Sequence, residues 1–209
     1  MFALSHYNNG IQLLGVIQMT LHLVGLVGNN APKSYNRDLL KYLQTHFADQ
    51  VQLAIAEISD IPLFNEANLE TVPASVTKLA DQLTAADGII IATAEYDHAI
   101  PAALKSAIEW LSTVAHPFTT KPVMIVGASL GVQGTARAQD NLRQILNSPG
   151  VNAFVMPGYE FLLSNAPQQF DENGQLTNEK TIGFLNECFD HYQKFVADNL
   201  EDLKLVRQA

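Results

Sequence analysis

Cysteine is nearly absent: Cys188 stands alone in 209 residues. One thiol forms no intramolecular disulfide and no all-thiolate metal site, and the lack of a disulfide framework is compatible with a reducing cytosol. Positive charge is also scarce. Twelve Lys and Arg face 21 Asp and Glu, a net charge of −9, which disfavours nucleic acid or an anionic membrane as partner. No apolar run approaches the roughly 18 uninterrupted residues of a membrane span. The opening MFALSHYNNGIQLLGVIQ lacks both a basic n-region and a small-residue cleavage site, so it is a poor signal peptide. Residues 1–19 are expected to be an extension, with Met19 a plausible natural start, and residues 20–209 a single domain.

What is present is a globular composition, 47% apolar and 16% charged, sufficient for one substantial core. Five short apolar runs recur: LHLVGLV (21–27), VQLAIAEI (51–58), GIIIAT (88–93), PVMIVGA (122–128) and VNAFVM (151–156). The third and fourth are almost continuous in Ile, Val, Ala and Met, as strands covered on both faces are. Helical patterns are predicted near residues 35–48, 72–86, 101–114, 135–147 and 178–204. Strand–helix alternation implies right-handed crossovers and a parallel sheet between two helical layers. Pro101 opens the third helix, where a missing N–H costs nothing. Pro149-Gly150 closes the fourth, and DENG at 171–174 reads as a surface turn.

Ligands of open parallel sheets bind beyond the carboxyl ends of the strands. Three loops there are unusual. The first, GNNAPKSYN (28–36), leads small and amide residues into a helix. Free N–H groups with Ser34 and Asn36 suit a phosphate, although Ser34 is equally a plain N-cap. The loop has neither the Gly-Lys-Ser/Thr of a triphosphate loop nor GxGxxG. The second, TAEYDHAIP (93–101), gathers Glu95, Tyr96, Asp97 and His98. No nucleophile or metal-ligand spacing accompanies them, so their backbone amides matter more than acid–base chemistry. In the third, GASLGVQGTARAQDNLRQIL (127–146), Ser129, Gly131 and Gly134 admit close approach of a flat group. Thr135 is placed to cap the next helix, and Arg137 and Arg143 to pair with surface carboxylates.

Two of these segments together resemble a known family. AEYDHAIPAALKSAIEWLS and KPVMIVGASLGVQGTARAQDNLRQIL, in this order, are similar to the NAD(P)H-dependent FMN reductases, the flavodoxin-like group that includes quinone, chromate and azo-dye reductases. ISDIPLFNE (58–66) adds to the match. The resemblance implies an α/β flavodoxin-like three-layer sandwich with a five-stranded parallel sheet. It implies FMN as cofactor, with NADPH or NADH as hydride donor and a quinone, free flavin or azo compound as acceptor. Gly28, Asn29, Ser34 and Asn36 would then form the phosphate loop, with Ser34 and Asn36 on the phosphate. Ala94, Glu95, Tyr96 and Asp97 would line the flavin ring, faced by Ser129, Leu130 and Gly131. A homodimer or homotetramer is implied too, with Trp110 and Tyr96 as interface candidates, and the lack of a disulfide framework makes the expected location cytoplasmic. Departures from the family pattern fall at Asn29, Ala94, Asp97 and Ala102, where Ser, Pro, Asn and Gly are usual. A flavodoxin-like FMN electron carrier without NAD(P)H turnover is the alternative.

Overall fold

A computed structural model describes residues 20–208, with side chains through Leu200; the expected extension lies outside the described residues. Strands β1 (Leu21–Gly28), β2 (Val51–Ala56), β3 (Gly88–Thr93) and β4 (Pro122–Ala128) alternate with helices α1 (Tyr35–His46), α2 (Ala74–Ala85), α3 (Ala102–Val114) and α4 (Ala136–Leu146). Two short strands, β5 (Phe154–Val155) and β6 (Phe161–Leu163), precede the long α5 (Glu179–Gln208). All pairings are parallel, in the order β2-β1-β3-β4-β5. The chain therefore leaves β1 toward one edge and returns on its other side at β3. That reversal makes a crevice at the β1/β3 carboxyl ends.

The apolar runs divide by parity between two cores. Leu23, Val27, Ile90, Met124 and Val126 pack under α1 and α5, whereas Val24, Leu26, Ile89, Ile91 and Ile125 pack under α2, α3 and α4. Such two-sided burial is why β3 and β4 are buried at every position. Tyr192 of α5 is fully buried and donates to the carbonyls of Ile89 (2.9 Å) and Pro122 (3.1 Å), tying the last helix to two strands. Cys188, buried beside it, is a core residue. Among the described residues no helix is long and apolar enough to cross a membrane.

Two sequence expectations change. The fifth strand predicted over 151–156 is only Phe154–Val155, paired with the start of β4. Pro157-Gly158 breaks it, and the fifth position of the sheet is completed by β6 against Val126–Ala128. Three residues, FLL, are too few to show a period. Trp110 is not an interface residue: it is fully buried, its indole N–H donates to the Pro62 carbonyl (2.9 Å), and Phe64 packs edge-on to it. The 57–73 connection straps over α3 through Ser106 and Trp110, so that helix is covered on both sides.

Candidate active site

The loops after β1, β3 and β4 converge on a cleft of about 680 Å³, within the roughly 300–1,000 Å³ of small-molecule and cofactor sites. Its floor is the start of α1. Ser34 holds the extended N-cap conformation, and its hydroxyl oxygen accepts from the Arg37 amide (3.3 Å) while its own proton goes to Asn29 Oδ1 (2.8 Å). The Ser34 carbonyl accepts from the Asp38 amide. Neither cap bond takes the amides of Tyr35 and Asn36, and both residues line the cleft with Lys33. A helix N-terminus with unclaimed amides and an adjacent cation is suited to an anion.

One wall is the 94–99 loop. Tyr96 and Ala99 exchange both backbone hydrogen bonds at 3.0 Å around Asp97 (φ 51°) and His98 (φ 65°), a two-residue hairpin of the kind that requires positive φ twice. Asp and His tolerate that region better than most side chains. Tyr96 is 49% exposed at the mouth, and its hydroxyl lies 3.4 Å from Asn29 Nδ2.

The opposite wall, residues 129–133, depends on the strand missed from sequence. The Leu163 carbonyl, at the end of β6, accepts from the Ser129 amide (3.0 Å), and the Asn165 amide donates to Gly131 (3.1 Å). Leu130 and Val132 stand 71% and 73% exposed on this wall. The cleft is thus cationic and amide-rich at one end and apolar at the other. Among the described residues no cluster of His, Cys, Asp and Glu could hold a metal ion.

Nine of the eleven sequence-predicted site residues line the cleft; Gly28 and Asp97 do not. Gly28 serves packing instead, since a Cβ there would sit 2.6 Å from the Ala92 carbonyl oxygen. Asp97 is exposed at the hairpin tip. Asn36 reaches the cleft wall but its amide is committed: Nδ2 donates to the Ala128 carbonyl (3.0 Å) and Oδ1 accepts from the Ala128 amide (2.9 Å). That leaves one N–H of the four hydrogen-bonding sites of its side chain on the donor side. Thr135 does not cap α4. It has φ 82°, and its hydroxyl accepts from Gln139 (3.2 Å). The cap comes from Glu95, whose Oε2 accepts from the amides of Arg137 (3.0 Å) and Ala138 (3.1 Å). Lys33, Tyr35, Val132 and Gln133 also line the cleft; each lies within two positions of a predicted residue, so only the loop, not the side chain, signalled them.

Residues 21–168 match the model of the NADPH-dependent FMN reductase family. The chain belongs to this family. It is 49% identical over 84% of its length to the NADH:(hydroxy)cinnamate reductase subunit CrdA of Vibrio ruber, covering 87% of that protein. It is 41% identical to NADH-dependent flavin reductase subunit 2 of Lactobacillus johnsonii, with 84% and 97% of the two chains covered. Identity to the quinone reductase of Escherichia coli K12 is 34%, covering 84% and 95%. Among solved structures, FerB, a flavoenzyme NAD(P)H:(acceptor) oxidoreductase from Paracoccus denitrificans, superposes with a TM-score of 0.78 at 27% identity, over 86% of this chain and 99% of that one. The chain is accordingly an oxidoreductase of flavodoxin-like fold that uses FMN and a nicotinamide nucleotide. The expected family, fold class and cofactors stand.

Proposed function

We propose that FMN lies in this cleft with its phosphate at the start of α1 and its ring between the 94–99 and 129–133 walls. The carrying observation is the match of polarity: unclaimed amides, Ser34 and Lys33 at one end, Tyr96, Leu130 and Val132 at the other. When bound, FMN supplies two-electron chemistry, receiving hydride from a reduced nicotinamide and reducing a quinone, free flavin or azo-type acceptor. The chain's own residues bind and orient: Lys33 balances phosphate charge, the α1 amides donate to it, and the two walls fix the ring plane. No acid–base residue is needed, which accounts for His98 standing exposed at the hairpin tip. Absorbance of the purified protein and titration with FMN test this. Retained or saturable flavin binding is expected; a colourless protein that takes up no added FMN contradicts it.

NADH is the preferred donor in this reading. Arg37, the arginine nearest the phosphate loop, is spent on Glu57 (2.5 and 2.8 Å) and on the carbonyls of Ala31 and Pro32 (3.1 and 3.2 Å). It is not offered to a 2′-phosphate, and the two relatives at 49% and 41% identity are named for NADH. We expect kcat/KM for NADH to exceed that for NADPH by about tenfold or more, the scale of one lost charged contact. The opposite ratio overturns this.

The rim residues Tyr96, Leu130 and Val132 are exposed beside the cleft, and a second cytoplasmic copy of the chain covering them is the first assembly we propose. An unlike subunit is a second reading, favoured because both relatives just named are subunits. Light scattering separates these. A multiple of the chain mass with full NADH turnover supports a homo-oligomer, and a monomer with little turnover supports the unlike subunit.

A further inference from the structure

We propose that Glu95 is a positioning residue: its carboxylate, by capping α4 from the loop after the neighbouring strand β3, locks the two walls of the cleft into one frame around the flavin ring. The inference rests on the flavin reading of the cleft. Helix α4 starts ARAQ, with no acid in its first turn, and the residue at its N-cap is in the left-handed region with its side chain turned elsewhere. Its first amides therefore need a foreign acceptor, because buried N–H groups without partners are costly. Ala138 is fully buried. Glu95, 42 and 43 residues earlier in sequence, supplies that acceptor to Arg137 and Ala138.

The tie is made at both ends of the loop. Glu95 begins it, and the Ile100 amide ends it on Asn141 Oδ1 (3.4 Å), one turn further along α4. Between the two anchors sits the Tyr96–Ala99 hairpin that carries the Tyr96 wall. The other wall runs directly into α4 through Gly134 and Thr135. Both walls are therefore referenced to the same helix end. The contact from the Arg137 guanidinium is a minor part: Nη1 is 3.5 Å from Oε1 with its side chain 47% exposed, where an ion pair contributes little. Reach and an acceptor oxygen matter here, more than charge.

FMN-loaded wild type, Glu95→Gln, Glu95→Asp and Arg137→Ala discriminate these roles. Gln keeps the reach and one acceptor oxygen; Asp keeps the charge and loses the reach. The proposal predicts that Glu95→Gln and Arg137→Ala hold kcat for NADH within about threefold of wild type. Glu95→Asp should lose about tenfold or more, as misplacement of reacting groups does, with lower fluorescence anisotropy of the bound flavin and a smaller change in FMN dissociation constant. Equal kcat and anisotropy in Glu95→Asp and wild type overturn it, as does a larger loss in Gln than in Asp, which would mean charge. Wild-type protein that binds no FMN sinks the underlying reading of the cleft instead, so the two failures are told apart.

Discussion

The sequence offers Ser34 and Asn36 alike as phosphate ligands, but their side chains have different partners in the structure. The Ser34 hydroxyl lies beside the unclaimed amides with its proton on Asn29 Oδ1, from which it can rotate to a phosphate, whereas Asn36 clamps both backbone groups of Ala128. Ser34→Ala should weaken FMN binding by about 1–3 kcal/mol, the value of a hydrogen bond to a charged group. Asn36→Ala should act on stability, stranding a buried amide and carbonyl at about 1–3 kcal/mol each and lowering Tm by about 5 °C or more for a domain of this size. Fluorescence titration and thermal melts of both variants check the split, and equal effects on affinity would contradict it. At Asp97 the hairpin position, with φ 51°, demands a residue at home in the left-handed region. Asp97→Asn should leave flavin affinity within about twofold and Tm unchanged, since Asn suits positive φ as well as Asp. A large affinity change would place the carboxylate at the ring.

At the scale of elements, α5 carries two buried groups that make stability depend on pH. Burial pushes the Cys188 thiol up to about 12, and burial pushes Tyr192 well above its ordinary value. Both groups bind protons more tightly folded than unfolded. Their contribution is complete below the unfolded values, about 8.5 for Cys and 10 for Tyr, and is lost as pH climbs from there toward the folded ones. Urea midpoints should thus be flat with respect to these groups below about pH 8 and fall above it, each group adding a slope of up to about 1.4 kcal/mol per pH unit. Cys188→Ala should remove the portion that begins near pH 8.5, whatever its cost in packing. An unchanged alkaline slope would mean the thiol is not buried. The elements themselves were mostly legible: five strand–helix alternations came from apolar runs and proline punctuation, and the helix ends fell within a few residues. The β5/β6 split was not, because two- and three-residue strands have no period and their pairing with opposite ends of β4 is a tertiary fact. The same holds for the strap over α3, since Trp110 looks like an exposed aromatic until Pro62 is brought beside it.

For the whole molecule, the parallel sheet between two helical layers was legible from strand–helix alternation and the three site loops from the carboxyl-end rule, whereas the β1/β3 reversal that brings those loops together is seen only in the structure. Their side-chain roles were less so. The sequence groups Glu95 with Asp97 and His98 in one polar loop, yet it serves a helix more than 40 residues away, a partnership without local signal. We propose that FMN is held across the carboxyl ends of β1, β3 and β4. A crystal structure of the protein soaked with FMN tests it most directly. The phosphate should lie within hydrogen-bonding distance of Ser34 and the Tyr35 and Asn36 amides, with the ring between Tyr96 and Leu130. Flavin bound at any other surface, with this cleft occupied by solvent alone, would contradict it.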